Sequence, residues 1–311
     1  MNLSSLPPVT PLVTIVTPTF NMGHFLRETI ESVLTQDYPH IDYIVMDGGS
    51  QDGTVDLLRG YGDRLRFVSG PDQGQADAIN KGFGLARGEI FAFLNADDTY
   101  LPGAVSAGVA ALMAHPEAGA VYGEAWYAGE DGRILQRYPT VPFDSQLLGS
   151  LCYICQPASF LRSQVFQEVG MLDPSLHLTL DYELWLRIAK RYPLHMIDRY
   201  LATSRMYADN KTMSRRQETF DEVIRITKTH RGYVPLNWIY GYAGHILDGK
   251  DGFFEHSPPS LAKYALAFAM GAWHNPLHLP RFLRECAQSA GMAAGMLRKQ
   301  WSGTYTGPPS R

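Results

Sequence analysis

Over residues 12–125 short apolar runs alternate with stretches of helical period, and this alternation constrains the fold more than any other feature of the sequence. Leu12–Thr17 reads as a buried strand, followed by an amphipathic helix over Phe25–Leu34 that turns Phe25, Ile30, Val33 and Leu34 inward. Strand Ile41–Met46, a helix from about Thr54, strand Leu65–Val68 and helix Ala76–Ala86 come next. Strand Ile90–Leu94, helix Gly103–Ala114 and strand Gly119–Tyr122 complete the series. Strands without a polar face are covered on both sides, and the intervening helices return the chain to one end of a parallel sheet. The expected fold is α/β: a doubly wound, mostly parallel sheet flanked by helices. In such a sheet the ligand sits beyond the carboxyl ends of the strands.

Those ends are Thr17-Pro18-Thr19, Asp47-Gly48-Gly49-Ser50, Gly70-Pro71-Asp72 and Asn95-Ala96-Asp97-Asp98, and three of the four carry carboxylates. An acidic residue closing the second strand of this kind of sheet accepts hydrogen bonds from a nucleoside. The dinucleotide fingerprint is missing, however: the first turn, Thr17 to Gly23, holds one glycine, and no P-loop string occurs. Without a backbone cradle, nucleotide phosphates need another source of positive charge. Asp97 and Asp98 suit a hard divalent cation, which takes carboxylate and phosphate oxygens together. They suit equally a plain cap for the helix that starts near Pro102.

Composition narrows the partners. Lys+Arg 27 against Asp+Glu 31 gives a net charge of -4, without the basic excess of a nucleic-acid binder. Three cysteines in 311 residues do not make a disulfide framework. The first residues, Met1 to Pro8, lack the charged and apolar regions of a signal peptide, and no stretch approaches the roughly 20 apolar residues of a membrane span. A cytoplasmic protein is expected.

Further strings add specificity. Val13–Asn21 (VTIVTPTFN), Glu31–Pro39 (ESVLTQDYP), Tyr43–Thr54 (YIVMDGGSQDGT), Gly74–Gly82 (GQADAINKG) and Phe93–Asp98 (FLNADD) are followed by Cys155–Arg162 (CQPASFLR), Val169–Asp173 (VGMLD) and Leu180–Arg187 (LDYELWLR). In order and spacing they resemble the family 2 glycosyltransferases, nucleotide-sugar enzymes with the GT-A fold, and the resemblance spans residues 12–212. It implies that Thr17, Pro18 and Thr19 edge the nucleotide, that Asp47 contacts the base, and that Gly48 and Gly49 leave room for it. Asp77 and Asn80 would lie on the helix whose start flanks the nucleotide. Asn95, Ala96, Asp97 and Asp98 would form the acidic motif at the ribose, diphosphate and metal, with Mg²⁺ or Mn²⁺ held by Asp97 and Asp98. Asp181 would be the catalytic base of an inverting transfer, and Arg205 and Lys211 would contact the diphosphate.

The implied activity moves a hexosyl-type sugar from a nucleotide sugar, with UDP the expected carrier, to a glycan or lipid-linked acceptor in bacterial-type polysaccharide or glycolipid assembly. Three residues depart from the family pattern: Asn95 stands where many relatives have Asp, Leu180 where a Glu often precedes the base, and Tyr207 where a His is common. The alternatives are a nucleotide-binding scaffold, or a nucleotidyltransferase on the same fold. The latter would carry a Gly-rich, basic loop after the first strand. Asp181 has its own structural alternative: it caps its helix, with Glu183 a solvated first-turn carboxylate.

The rest of the chain is organised more loosely. Tyr122–Ala128 and Arg133–Tyr138 read as a hairpin, Gln156–Leu161 as a strand, and Asp181–Arg191 as a helix. A transferase domain over residues 1–230, with its nucleotide half at 12–125 and acceptor half at 126–230, would precede a helical extension over 231–311. Within that extension Leu261–Trp301 could lie on the inner membrane face through Phe268, Trp273, Phe282, Leu283 and Trp301, with basic residues at the headgroups. A helical pair packed on the domain or on a second subunit is the other reading. Cys152 and Cys155 fit C-x-x-C but lack a second pair, so they read as buried thiols. His274 and His278 flank Pro276 without the Glu of a zinc motif. Ser50, Asp52 and Thr54 read as a helix start.

Overall fold

A computed structural model describes residues 10–249 and 260–301. The chain forms two compact units, one reaching Leu148 and resuming over Cys152–Ser214, the other made of Gly149–Leu151 and the chain from Arg215 onward. The first unit opens with β1 (Val13–Thr19), α1 (Gly23–Leu34), β2 (Ile41–Asp47), α2 (Thr54–Arg59), β3 (Arg66–Ser69) and α3 (Gln75–Gly84). It continues through β4 (Ile90–Phe93), β5 (Thr99–Tyr100), α4 (Ala104–Ala114), β6 (Ala120–Ala128), β7 (Ile134–Arg137) and α5 (Ser145–Leu148). β8 (Ser159–Arg162), α6 (Val165–Val169), α7 (Leu180–Ile188), β9 (Leu194–Arg205) and α8 (Lys211–Ser214) complete it.

The strands make one sheet in the order β3-β2-β1-β4-β8-β6-β9-β5, with β7 paired to β6. From β3 to β4 all pairs are parallel, as the alternation predicts. β1 and β4 are buried at every position, because helices cover both faces. On one face Leu26 and Ile30 of α1 pack fully buried against Ile15, Val45 and Ala92. Each such side chain contributes roughly 1.5–3 kcal/mol through removal from water. On α3, a Cβ at Gly82 would lie 2.5 Å from Val16 Cγ1, so a glycine is required for this helix to sit so close to β1.

Beyond β4 the sheet becomes mixed. β8 runs antiparallel to β4 and β6, β9 runs parallel to β6, and β5 runs antiparallel to β9. β9 has no counterpart in the sequence reading. Asp198 and Arg199 interrupt its apolar pattern, and the register with β6 shifts at Gly123/Glu124 and again at Glu124/Ala125. Such irregularities erase a clean two-residue period. β9 ends at Arg205 and leads to Tyr207, both of which bond the turn after β4.

The second unit contains α9 (Arg216–Arg231), α10 (Leu236–Asp248), α11 (Leu261–His274) and α12 (Leu279–Trp301). α9, which the sequence reading assigned to the transferase domain, clusters here because Phe220 and Ile224 join Ile239, Tyr242, Ala243, Ala267 and Phe282 in a separate core. Buried Asn275 bonds both polar groups of the Val234 backbone, at 2.8 and 2.9 Å. α11 has an inverted surface: Lys263 is buried and paired with Asp248, while Leu261, Phe268 and Trp273 are exposed. Phe282, expected at a membrane face, is instead fully buried in the core, and the Trp301 side chain lies outside the described residues. Among the described residues no helix is long and apolar enough to cross a membrane.

Candidate active site

The acidic turn after β4 is held from three directions. Thr29 Oγ1 of α1 donates to the carbonyls of Ala96 and Asp98, at 2.8 Å each. The Arg205 N–H at the end of β9 donates to Asp98 Oδ1 at 2.9 Å, and Asn95 Nδ2 donates to Asp98 Oδ2 at 3.2 Å. The Arg205 side chain, only 5% exposed, donates through Nε to the Asp97 carbonyl at 3.0 Å and ion-pairs with Glu28. It also donates to the Glu130 carbonyl at 2.7 Å, with its guanidinium over the Phe25 ring. Arg205 is thus a clamp on the acidic turn, buried rather than on the surface. Lys211 stands further out, donating to Gln75 Oε1 at 3.2 Å, while Gln75 Nε2 donates to Asn95 Oδ1 at 2.7 Å.

These bonds separate the two carboxylates. Asp98 is 3% exposed and anchors β9. Asp97 is half-buried and accepts from Tyr207 Oη at 3.1 Å, which gives Tyr207 the task of orienting it. Burial pushes both carboxyls up, and Asp98 rises well above the carboxylate range because Asp97 adds like charge beside it. Among the described residues no group of three or more His, Cys, Asp or Glu side chains converges. The set that is present, hard carboxylate oxygens in a buried like-charged pair, fits a divalent cation completed by phosphate oxygens. Beside Tyr207 opens a cavity of about 230 Å³ lined by Met22, His24, Glu130, Ala208 and Asp209.

Asp181 lies in the first turn of α7. Burial pushes its carboxyl up to about 6 against the backbone amides of Tyr182 and Asp181 itself, which favour the charged form. Its charge reaches Cys152, Cys155 and Tyr138, and Cys155 also feels Asp98. The Cys155 thiol, held neutral first by burial, therefore lies within electrostatic range of both carboxylates. Cys155 is a buried thiol, as expected, whereas Cys152 is only half-buried; both thiols are held neutral first by burial. Glu183 is not a solvated first-turn carboxylate: it is 6% exposed and bonds Arg187 Nε at 2.8 and 2.9 Å. Arg187 in turn caps the carbonyls of Val169, Gly170 and Met171, which fixes the approach to α7.

The other expected residues divide by their partners. Thr17 is buried with its hydroxyl 3.0 Å from Tyr43 Oη, and Pro18 is buried beside it in β1, whereas Thr19 Oγ1 is buried with no hydrogen-bond partner. Asp47 accepts from Ser69 Oγ at 2.6 Å and from the Gly49 and Ser50 amides at 3.2 Å, so it shapes its own turn. Asp77 accepts from Gln73 N at 2.9 Å and pairs with Lys81 at 2.8 Å. The Lys81 hydrogen bond holds its carboxyl below the usual range. Asn80 exchanges bonds of 2.8 and 3.1 Å with the Leu172 backbone and ties α3 to the segment before α7. Asp52, accepting from Thr54 and Gly23, starts α2 as expected. The sequence reading assigned no role to Thr29 and Glu28, which carry no motif signal, nor to Gln75, which lies in the Gly74–Gly82 string; all three act through residues distant in the chain.

A parallel sheet over β1 to β4 with an acidic turn beyond β4 is the framework of a GT-A fold. The Glycosyl transferase family 2 profile matches residues 14–170, and the chain belongs to that family. It is similar to a Rickettsia prowazekii glycosyltransferase, 30% identical over 216 residues, covering 65% of this chain and 66% of the relative. A Bacillus subtilis glycosyltransferase named for teichuronic acid biosynthesis is 29% identical over 189 residues, 58% of this chain and 73% of that one. The chain spans less than two thirds of some relatives, and 35% of one from Rickettsia felis. Among solved structures, Staphylococcus aureus TarS 1–349 with UDP-GlcNAc aligns over 95% of this chain and 93% of its own at TM-score 0.60 and 14% identity. A Pyrobaculum calidifontis mannosyltransferase with GDP-Man and Mn²⁺ covers 96% and 82% at TM-score 0.53 and 17% identity. At these identities the likeness is one of fold.

Proposed function

We propose that this protein transfers a sugar from a nucleotide-diphosphate sugar to an acceptor hydroxyl, with inversion, in the assembly of a bacterial-type polysaccharide or glycolipid. The observation that carries the reading is the acidic turn beyond β4 of a family 2 sheet, where Thr29 and Arg205 fix the backbone, Arg205 N–H holds Asp98 and Tyr207 holds Asp97. UDP and GDP are the carriers first to be tested, since the TarS and Pyrobaculum structures hold UDP-GlcNAc and GDP-Man.

In this mechanism Asp97, oriented by Tyr207 and backed by Asp98, would hold Mg²⁺ or Mn²⁺, which would supply Lewis-acid stabilisation for negative charge on a departing diphosphate. Lys211, reaching Gln75, adds positive charge at the same rim. Asp181 takes the proton of the attacking hydroxyl; with its pKa near 6 it is ionised at neutral pH and still basic enough to accept. The exposed Leu261 and Trp273 of α11 would meet a lipid surface that presents a lipid-linked acceptor. The test is hydrolysis and transfer with a panel of UDP- and GDP-sugars in Mn²⁺. Turnover supports the transferase; tight nucleotide binding with no turnover on any donor or acceptor supports a scaffold.

A further inference from the structure

The carboxyl ends of β1, β2 and β3 meet around Gly48, and the side chains there do not divide their work as the resemblance assigns it. Asp47 is 3% exposed, and its oxygens already accept from the Gly49 and Ser50 amides and from Ser69. Asp47 builds the turn from beneath. Gly48 has no side chain, but the room above it is taken: a Cβ there would lie 2.8 Å from Asp72 Oδ2 and 3.3 Å from Phe20 Cδ2. The Asp72 carboxylate therefore stands where a side chain at position 48 would begin. Its Oδ1 is fixed by the Gly74 amide at 2.8 Å, and no donor among the described residues meets its Oδ2. Phe20 is 60% exposed beside it, and the Thr19 hydroxyl is buried without a partner one residue earlier.

We propose that Asp72, rather than Asp47, reads the nucleobase of the donor, accepting a ring N–H at Oδ2. This rests on the nucleotide-sugar reading above and adds to it which bases the site admits. An ionised carboxylate is an acceptor only. Uracil offers N3–H, and guanine offers N1–H beside an amino group; both complete the free oxygen. Cytosine and adenine present a ring lone pair at the matching position, which faces the carboxylate as acceptor against acceptor. A site that leaves its own polar group unpaired rejects such an analogue strongly. One oxygen locked by Gly74 means that the other is aimed before the ligand arrives.

The experiment is calorimetric titration of the full chain with UDP, GDP, CDP, ADP and 3-methyl-UDP in Mn²⁺, for the wild type, Asp72→Asn and Asp47→Asn. In the wild type, UDP or GDP should bind at least about 10-fold tighter than CDP and ADP, and methylation of uracil N3 should weaken UDP binding to a similar degree. Asp72→Asn, whose amide can donate, should lose at least about 10-fold toward the favoured base and gain CDP affinity, with an unchanged melting temperature. Asp47→Asn should lower the melting temperature and leave the ratio of UDP to CDP affinity as it was. The assignment is overturned if Asp72→Asn keeps the wild-type preference, or if Asp47→Asn abolishes it. Wild-type binding of UDP, GDP and CDP with equal affinity overturns base reading by Asp72 but leaves the nucleotide-sugar reading standing. Failure to bind any of the nucleotides removes both.

Discussion

Asp181→Asn should make this protein more stable and nearly inactive. The folded carboxyl has a pKa of about 6 against an ordinary 3.8, raised by burial. At neutral pH the fold therefore holds a charge that the unfolded chain solvates better. Two units at 1.36 kcal/mol each put that cost near 3 kcal/mol, and solvent contact at the cleft side reduces it to about 1–3 kcal/mol. Asn has the shape of Asp, still accepts from the Tyr182 amide, and carries no charge. Its melting temperature at pH 8 should rise by roughly 2 to 12 °C, at about 2–4 °C per kcal/mol. The sign with pH is fixed. A raised carboxyl pKa weakens the wild type in full above 6, and the loss fades as the pH falls from 6 to 3.8, below which both states are protonated. The gap between variant and wild type should therefore shrink between pH 8 and pH 4.5. Turnover should fall by about 10²-fold or more, because the amide cannot take the proton. Differential scanning fluorimetry across pH, beside a donor-hydrolysis assay, measures both. A variant that melts lower than the wild type at pH 8, or one that turns over normally, refutes the reasoning.

The same carboxyl sets the pH profile: kcat/KM should rise through pH 6 with unit slope, as followed by initial rates between pH 4.5 and 8, and a flat profile there would exclude a base of that pKa. Chelation with EDTA should abolish turnover and Mn²⁺ or Mg²⁺ should restore it. Asp97→Ala should lose this restoration with little change in melting temperature, whereas Asp98→Ala should also melt lower, since Asp98 is buried and bonds the Arg205 backbone. Trp273→Ala with Leu277→Ala, both highly exposed in the wild type, should reduce co-sedimentation with anionic liposomes several-fold without loss of donor hydrolysis. Unchanged sedimentation would leave this apolar face without a lipid role.

Much of the nucleotide half was legible in the sequence, because β1, β2 and β4 are buried on both faces and their apolar runs contrast with the helices between them, while β3 is an exposed edge strand. The acidic turn was legible for the same reason, since Asn95 to Asp98 follow a fully buried strand. β9 was not, as its register shifts against β6 break the period. The partners that decide each carboxylate's task also have no local signal. Arg205 meets Asp98 across 107 positions, and Asn80 meets Leu172 across 92. Asp72 was visible at a strand end, yet its position over Gly48 follows from packing alone. In the second unit, amphipathicity misled: Phe282 and Trp273 look alike in sequence, but one is core and the other surface.

The central claim is an inverting transfer from a nucleotide sugar with Asp181 as base. The most direct measurement is time-resolved ¹H NMR of the sugar released from an α-configured UDP- or GDP-sugar in Mn²⁺, read before mutarotation, for wild type and Asp181→Asn. The account predicts a β-anomer as first product from the wild type, and a signal about 10²-fold slower or absent from the variant. An α-anomer as first product, or equal rates from the two proteins, would contradict it.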